Sequence, residues 1–158
     1  MSELISRAEM LIRKPVSDVF SAFTNTSTLE KFWLKRANSS LAEDAVVHWE
    51  FLVEGAQDTV TVTEFSASQI IAFTFSDGVA VELKFEPWRD AGTRLSVKAT
   101  GFSGEDAIAS VVDATEGFSI VLCDLKTLLE TGTSAGMVLD KAELISACHD
   151  GSDRSKNK

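Results

Sequence analysis

The sequence predicts an α+β domain in which a curved antiparallel sheet of about six or seven strands wraps on one long C-terminal helix, with two short helices after the first strand. Three observations carry this. First, Phe118, Val121, Leu122, Leu125, Leu128 and Leu129 fall three and four residues apart between Glu116 and Glu130, an apolar stripe more than about 100° wide that needs a partner. Second, most of the chain before that stripe alternates apolar and polar residues, the period of half-buried strands. Third, the connections between those strands are short, and tight turns force antiparallel neighbours.

Taken in order, Ile5 to Ile12 reads as a strand with Met10 and Ile12 on one face. Pro15 fits the first position of a helix, where its missing N–H removes no bond, and Val16, Val19, Phe20 and Phe23 keep helical spacing. Asn25 is suited to cap a second short helix through its side-chain oxygen, with Leu29, Phe32 and Trp33 as the buried stripe. Residues 34–44 read as irregular, with a brief strand near Asn38–Ser40.

Val46 to Val53 alternates, placing Val47, Trp49, Phe51 and Val53 on one face and His48, Glu50 and Glu54 on the other. Val60 and Val62 belong to the next strand, and Phe65 falls out of phase with them, which predicts a bulge. Ile71, Phe73 and Phe75 continue the inward face. Asp77-Gly78 predicts a hairpin with both central residues at positive φ. Val79, Val81, Leu83 and Phe85 return along it, Asp90-Ala91-Gly92 turns again, and Leu95, Val97 and Ala99 follow.

Glu105 to Thr115 is ambiguous, although Ile108, Val111 and Val112 could start a helix. The long helix then opens at Glu116, whose carboxylate favours the dipole, and stops at Gly132. A last helix is expected at Leu139, with Asp140 as cap, Glu143 reaching back and Leu139 packed on Leu144. The division that follows is one domain over 1–150, with a core at 5–131, an extension at 132–150 and a flexible tail at 151–158.

The totals exclude several functions. A chain of 158 residues buries about two-thirds of its unfolded surface, so a full core needs neither disulfide nor metal. The net charge of −9 argues against nucleic acid and anionic membrane. No apolar run approaches the roughly 18 residues of a membrane span. The start, Met1 to Arg7, lacks a signal peptide's apolar core, and Cys123 and Cys148 make no disulfide framework, so a cytoplasmic protein with two buried thiols is expected.

Catalytic motifs are not found. His48 and His149 are the only histidines; His48 shares parity with Glu50, away from the helix, and His149 lies near the polar tail. Glu82 should face outward by parity, Glu64 is unsettled by the phase break, and Glu116 fits a structural role. Cys123 has no histidine at helical spacing, and the cysteines and histidines lack metal-ligand spacing. No catalytic residue, metal or cofactor is assigned, and the reading leans away from an enzyme.

The run Ile12-Arg13-Lys14-Pro15-Val16-Ser17-Asp18-Val19-Phe20-Ser21-Ala22-Phe23-Thr24-Asn25, followed by Trp33, resembles the START-like (SRPBCC) superfamily with its helix-grip fold. Thr115-Glu116-Gly117-Phe118, then Val121-Leu122 and Leu125 through Glu130, resembles one branch of it, the family similar to the C-terminal domain of the activator of heat-shock-protein-90 ATPase. Trp49-Glu50-Phe51, Asp58 to Phe65 and Phe73 to Gly78 fit the same order, so the resemblance covers roughly residues 5–131. Phe118 stands where relatives often carry Trp, which changes the pocket's size and removes an N–H donor.

The resemblance implies a cavity between sheet and helix that takes lipids, polyketides, hormones or other apolar ligands. Combined with inward parity it nominates Trp33, Trp49, Phe51, Phe73, Phe75, Phe85, Phe118, Leu122 and Leu125 as its walls. The expected partner is a small apolar molecule. The alternatives are an interaction module acting on a chaperone or another protein in a stress response, and an enzyme of cyclase or hydrolase type. Monomer and homodimer both stay open.

Overall fold

A computed structural model describes the backbone of residues 3–156 and the side chains of residues 3–148, so the side chain of His149, the side chains of the expected tail at 151–158 and the backbone of its last two residues lie outside the described residues. The elements are β1 (Ser6–Ile12), α1 (Val16–Thr24), α2 (Thr26–Phe32), β2 (Leu34–Ala37), β3 (Val46–Phe51), β4 (Gln57–Ser66), β5 (Ile70–Thr74), β6 (Ala80–Trp88), β7 (Gly92–Thr100), α3 (Ala107–Thr131) and α4 (Met137–Lys156). Seven strands form one antiparallel sheet in the order β1-β7-β6-β5-β4-β3-β2. This is the expected curved sheet with a long C-terminal helix.

The inward face follows the alternation of the sequence. Val47, Trp49, Val60, Val62, Ile71, Phe73, Val81, Leu83, Leu95 and Val97 are all buried in one cluster with α1, α2 and the C-terminal half of α3. The phase break before Phe65 is a register shift between Val62 and Glu64. Thr63 and Glu64 are both exposed across the shift, and Phe65 returns inward to meet Phe20 edge-to-face at 5.4 Å. One extra residue on the outside is what a bulge supplies, and it bends the strand around the helices.

Several expectations change. Pro15 is the residue before α1 and not inside it; its carbonyl accepts from the Asp18 and Val19 N–H groups. Asn25 does cap α2, accepting from the Thr28 N–H at 3.2 Å. The strand expected near Asn38–Ser40 lies earlier, at Leu34–Ala37. Asn38 instead folds its side chain onto the His48 N–H at 2.8 Å and so stops β2 at the sheet edge. In the β5–β6 hairpin only Gly78 takes positive φ, at 92°; the loop has three residues, with Phe75 and Val79 paired at 2.9 Å and the Asp77 carboxylate accepting from the Val79 N–H at 3.0 Å.

α3 begins at Ala107, nine residues before Glu116, so the ambiguous stretch is helix and Glu116 lies in its middle. The dipole role expected for Glu116 is therefore wrong, because the dipole acts only within the end turns. Gly132 closes the helix as expected, at φ 86° with its N–H on the Leu128 carbonyl.

α4 begins at Met137 and not Leu139, which places Asp140 inside its first turn, bonded to the Gly136 carbonyl. Leu139 and Leu144 are exposed, and the expected staple does not bury them. The face turned inward is Val138, Ala142 and Ile145. The α4 backbone continues through Gly151, where the sequence reading begins the tail. Cys148 is exposed on α4 and Cys123 half-buried on α3, so neither is the fully buried thiol that was expected.

Three polar ties fix α3 along β1. The Ser6 and Thr115 hydroxyls share a hydrogen bond at 2.8 Å, Lys126 Nζ donates to the Leu11 carbonyl at 2.7 Å, and Glu130 Oε2 accepts from the Arg13 N–H at 2.7 Å. Lys126 Nζ also donates to Glu130 Oε2 at 2.6 Å. Burial works against the charged form of Glu130, but the bonds from Lys126 and Arg13 outweigh it and hold the carboxyl below its usual range.

A lowered folded value means that ionised Glu130 favours the folded state above the unfolded carboxylate range and loses that contribution as pH falls through the folded value. Glu130→Gln is expected to cost no more than about 1 kcal/mol at pH 7, since the pair lies at the surface. Urea melts of variant and wild type should converge below about pH 4.

Candidate functional site: an apolar gap beside the long helix

α3 is tied to the β1 edge of the sheet and diverges from the opposite edge. Where it diverges, two apolar cavities open. One, of about 340 Å³, lies between α3, α4 and the β3–β4 turn, and its walls include Leu52, Gly117, Ile120, Val138, Ala142 and Ile145. The other, of about 270 Å³, lies between α3 and the β5–β6 hairpin, with Phe75, Val79, Phe102, Ala114 and Phe118 among its walls. Trp33, Phe51 and Gly117 line both.

Gly117 lies on the wall shared by both cavities. It lies in the middle of a 25-residue helix, where glycine costs about 1 kcal/mol relative to alanine. A Cβ built on it would meet no atom within 4 Å. The glycine is therefore not required by close packing against another element, and a larger side chain here would point into open space. The adjacent residue, Phe118, is half-buried and meets Trp33 at 6.4 Å between ring centroids.

The nine nominated wall residues divide in two. Trp33, Phe51, Phe75 and Phe118 line the cavities. Trp49, Phe73, Phe85, Leu122 and Leu125 are at most 3% exposed, belong to the packed core and line neither. The two groups touch through Trp49, whose ring lies 5.0 Å from Trp33, 6.3 Å from Phe51, 5.4 Å from Phe73 and 6.3 Å from Phe75. Trp49 Nε1 is buried among these rings with no hydrogen-bond partner. A buried unpaired donor costs roughly 1–3 kcal/mol, which ring faces offset only in part.

Residues from α4 and the β3–β4 turn were not nominated. The signal for α4 was present as Val138, Ala142 and Ile145, spaced four and three apart, and Gly117 interrupts an otherwise apolar stripe.

The polar candidates lie elsewhere. His48 Nε2 is within 2.9 Å of Gln57 Oε1 on the outer face, and Glu50 pairs with Arg36 at 3.7 Å. Glu82 lines an outer depression of about 710 Å³ with Lys84, Arg94 and Lys98, where Arg94 donates to Glu9 at 2.8 Å. That depression is the solvated side of β1, β6 and β7 and does not face α3. Among the described residues no group of three or more His, Cys, Asp or Glu is placed to hold a metal ion.

One ion pair and one hydrogen-bonded loop fasten α4. Glu116 Oε1 meets Lys141 Nζ at 2.7 Å, and this hydrogen bond holds the Lys141 ammonium above the usual lysine range. Asp124, 1% exposed, accepts from Ser134 Oγ at 2.7 Å and from the Ala135 N–H at 2.8 Å, fixing the α3–α4 loop. No helix among the described residues is long and apolar enough to cross a membrane.

A curved antiparallel sheet closed on a long helix, with short helices after the first strand and an apolar gap beside that helix, defines a START-like protein of the helix-grip class. Within that class, the chain belongs to the family described as "Activator of Hsp90 ATPase homolog 1-like protein", whose model matches residues 13–130. No curated protein sequence matches the chain.

Solved structures share the fold at low identity. The protein SSP2350 from Staphylococcus saprophyticus superposes with a TM-score of 0.73 at 22% identity, covering 82% of this chain and 94% of that one. The Aha1 dimer from Colwellia psychrerythraea gives 0.71 at 14% identity, covering 81% and 97%. CalU16 from Micromonospora echinospora gives 0.65 at 15% identity, covering 93% and 96%.

Proposed function

We propose that this chain binds a small apolar molecule in the gap between the sheet, α3 and α4, with Trp33, Phe51, Phe75 and Phe118 as its aromatic walls. The observation that carries the reading is Gly117, a mid-helix glycine with open space at its Cβ, shared by two apolar cavities. The larger cavity is at the lower end of the roughly 300–1,000 Å³ range of small-molecule sites. Binding would come from removing the ligand's apolar surface from water, and the heat-capacity change should be negative.

Among the described residues, the one charged side chain on the wall of the cavity beside α4 is Lys141, and on that of the other Asp77. Calorimetric titration with decanol at two well-separated temperatures is expected to show saturable one-to-one binding; heats no larger than dilution at both temperatures would refute the proposal.

A second reading, an interaction module that stimulates a chaperone ATPase, has two supports. One is the family's description. The other is an exposed apolar pair one turn apart on α3, Ile108 at 70% and Val112 at 61% exposure. It calls for stimulation of a heat-shock-protein-90-type ATPase that is lost in the double variant Ile108→Ser, Val112→Ser. An ATPase rate unchanged by the wild-type chain refutes it.

A further inference from the structure

The cavity beside α4 is apolar except at one point. Lys141 is the one charged side chain among its described lining residues. Lys141 lines the cavity with a side chain that is 32% exposed, which suits a lysine at a rim, where the stem can cover apolar surface and the ammonium keeps its water. Nζ is engaged by Glu116 Oε1 at 2.7 Å. An ammonium has three donors, and one bond to Glu116 leaves others to offer.

The start of the helix that carries this cation is fixed. Asp124 holds the loop before α4, and the Gly136 N–H bonds Ser134 Oγ at 3.0 Å. α4 also lies outside the family match at residues 13–130, so Lys141 is contributed by this chain's extension beyond the matched domain.

We infer that the ligand is an amphiphile with an anionic head, a carboxylate seated at Lys141 with its apolar chain lying over Gly117. This rests on the cavity reading above and adds the head group to it. A net charge of −9 disfavours anions in general, and Glu116 and Asp113 both act on the Lys141 ammonium, so an anionic head is held by competing with Glu116 for Nζ while the more distant charges are largely screened at physiological salt. A cationic head would meet Lys141 as a like charge. A neutral hydroxyl head would accept a hydrogen bond from the ammonium, but a weaker one than an ionised acceptor makes. A carboxylate forms a charge-assisted hydrogen bond in competition with Glu116.

The test compares heads on one tail. Full-length protein is titrated calorimetrically with decanoate, decanol and decylamine at pH 8. Decanoate is expected to bind about tenfold tighter than decanol, and decylamine weakest. Lys141→Met should remove the advantage of decanoate and leave decanol within about twofold. Glu116→Gln, which takes away the competing carboxylate, should tighten decanoate and not decanol, an outcome that a purely structural ion pair does not give. Equal affinities for decanol and decanoate in the wild type, or an equal weakening of both by Lys141→Met, would overturn the assignment and leave the cavity reading standing. Failure of all three to bind would overturn both.

Discussion

Phe73→Ala is expected to lower folding stability by about 3–5 kcal/mol, a large part of the roughly 5–15 kcal/mol available to a domain of this size. Phe73 is fully buried on β5, edge-to-face with Trp49 at 5.4 Å and with Phe75 at 5.5 Å. Its removal leaves a hole that the paired strands β4 and β6 cannot collapse into, because their register is fixed on both sides. Phe51 makes the contrast. It is half-buried and lines both cavities, so Phe51→Ala should cost only about 1–2 kcal/mol while weakening apolar ligands. Denaturant melts and decanol titrations on the same two proteins check this. A pair in which Phe51→Ala costs as much stability as Phe73→Ala, with decanol unaffected, would mean that Phe51 is ordinary core.

Gly117→Leu is expected to weaken decanol binding at least about tenfold while the protein stays folded. The new side chain would enter space that no atom now occupies within 4 Å of the Cβ position, on a residue shared by both cavities. It would also replace the poorest helix former but proline with a good one. Gly117→Ala separates the two effects. It should raise stability by about 1 kcal/mol and fill little of the gap. A glycine needed for close approach would behave in the opposite way, with alanine destabilising. Thermal melts of both variants, beside the titrations, decide between these.

The alternation of Trp49, Phe51, Phe73 and Val81 was enough to assign the sheet face, because strand parity is strict and a one-residue slip would expose a whole face. The break before Phe65 was legible as a bulge for the same reason. The start of α3 was not, since Ile108 and Val112 are exposed and contribute no stripe. Glu116 was misplaced as a consequence.

The site was legible only in part. Parity marks which residues point inward, but not where two packed surfaces separate. Trp49, Phe73 and Leu122 therefore looked the same as Phe51 and Phe118, although the first three are packed core and the last two line the gap. What separates them is the divergence of α3 from the sheet and the return of α4 over it. Both depend on long-range ties such as Ser6 with Thr115 and Asp124 with Ala135.

The chain's three tryptophans offer the most direct test of the cavity. Trp33 lines both cavities, whereas Trp88 lies beside Met10 and Leu11 at the outer side of the sheet. In a nitrogen-15 proton correlation spectrum, titrated decanol should shift the Trp33 indole resonance saturably and leave Trp88 in place. A Trp33 resonance that stays fixed while Trp88 moves, or no shift at either, would contradict the account.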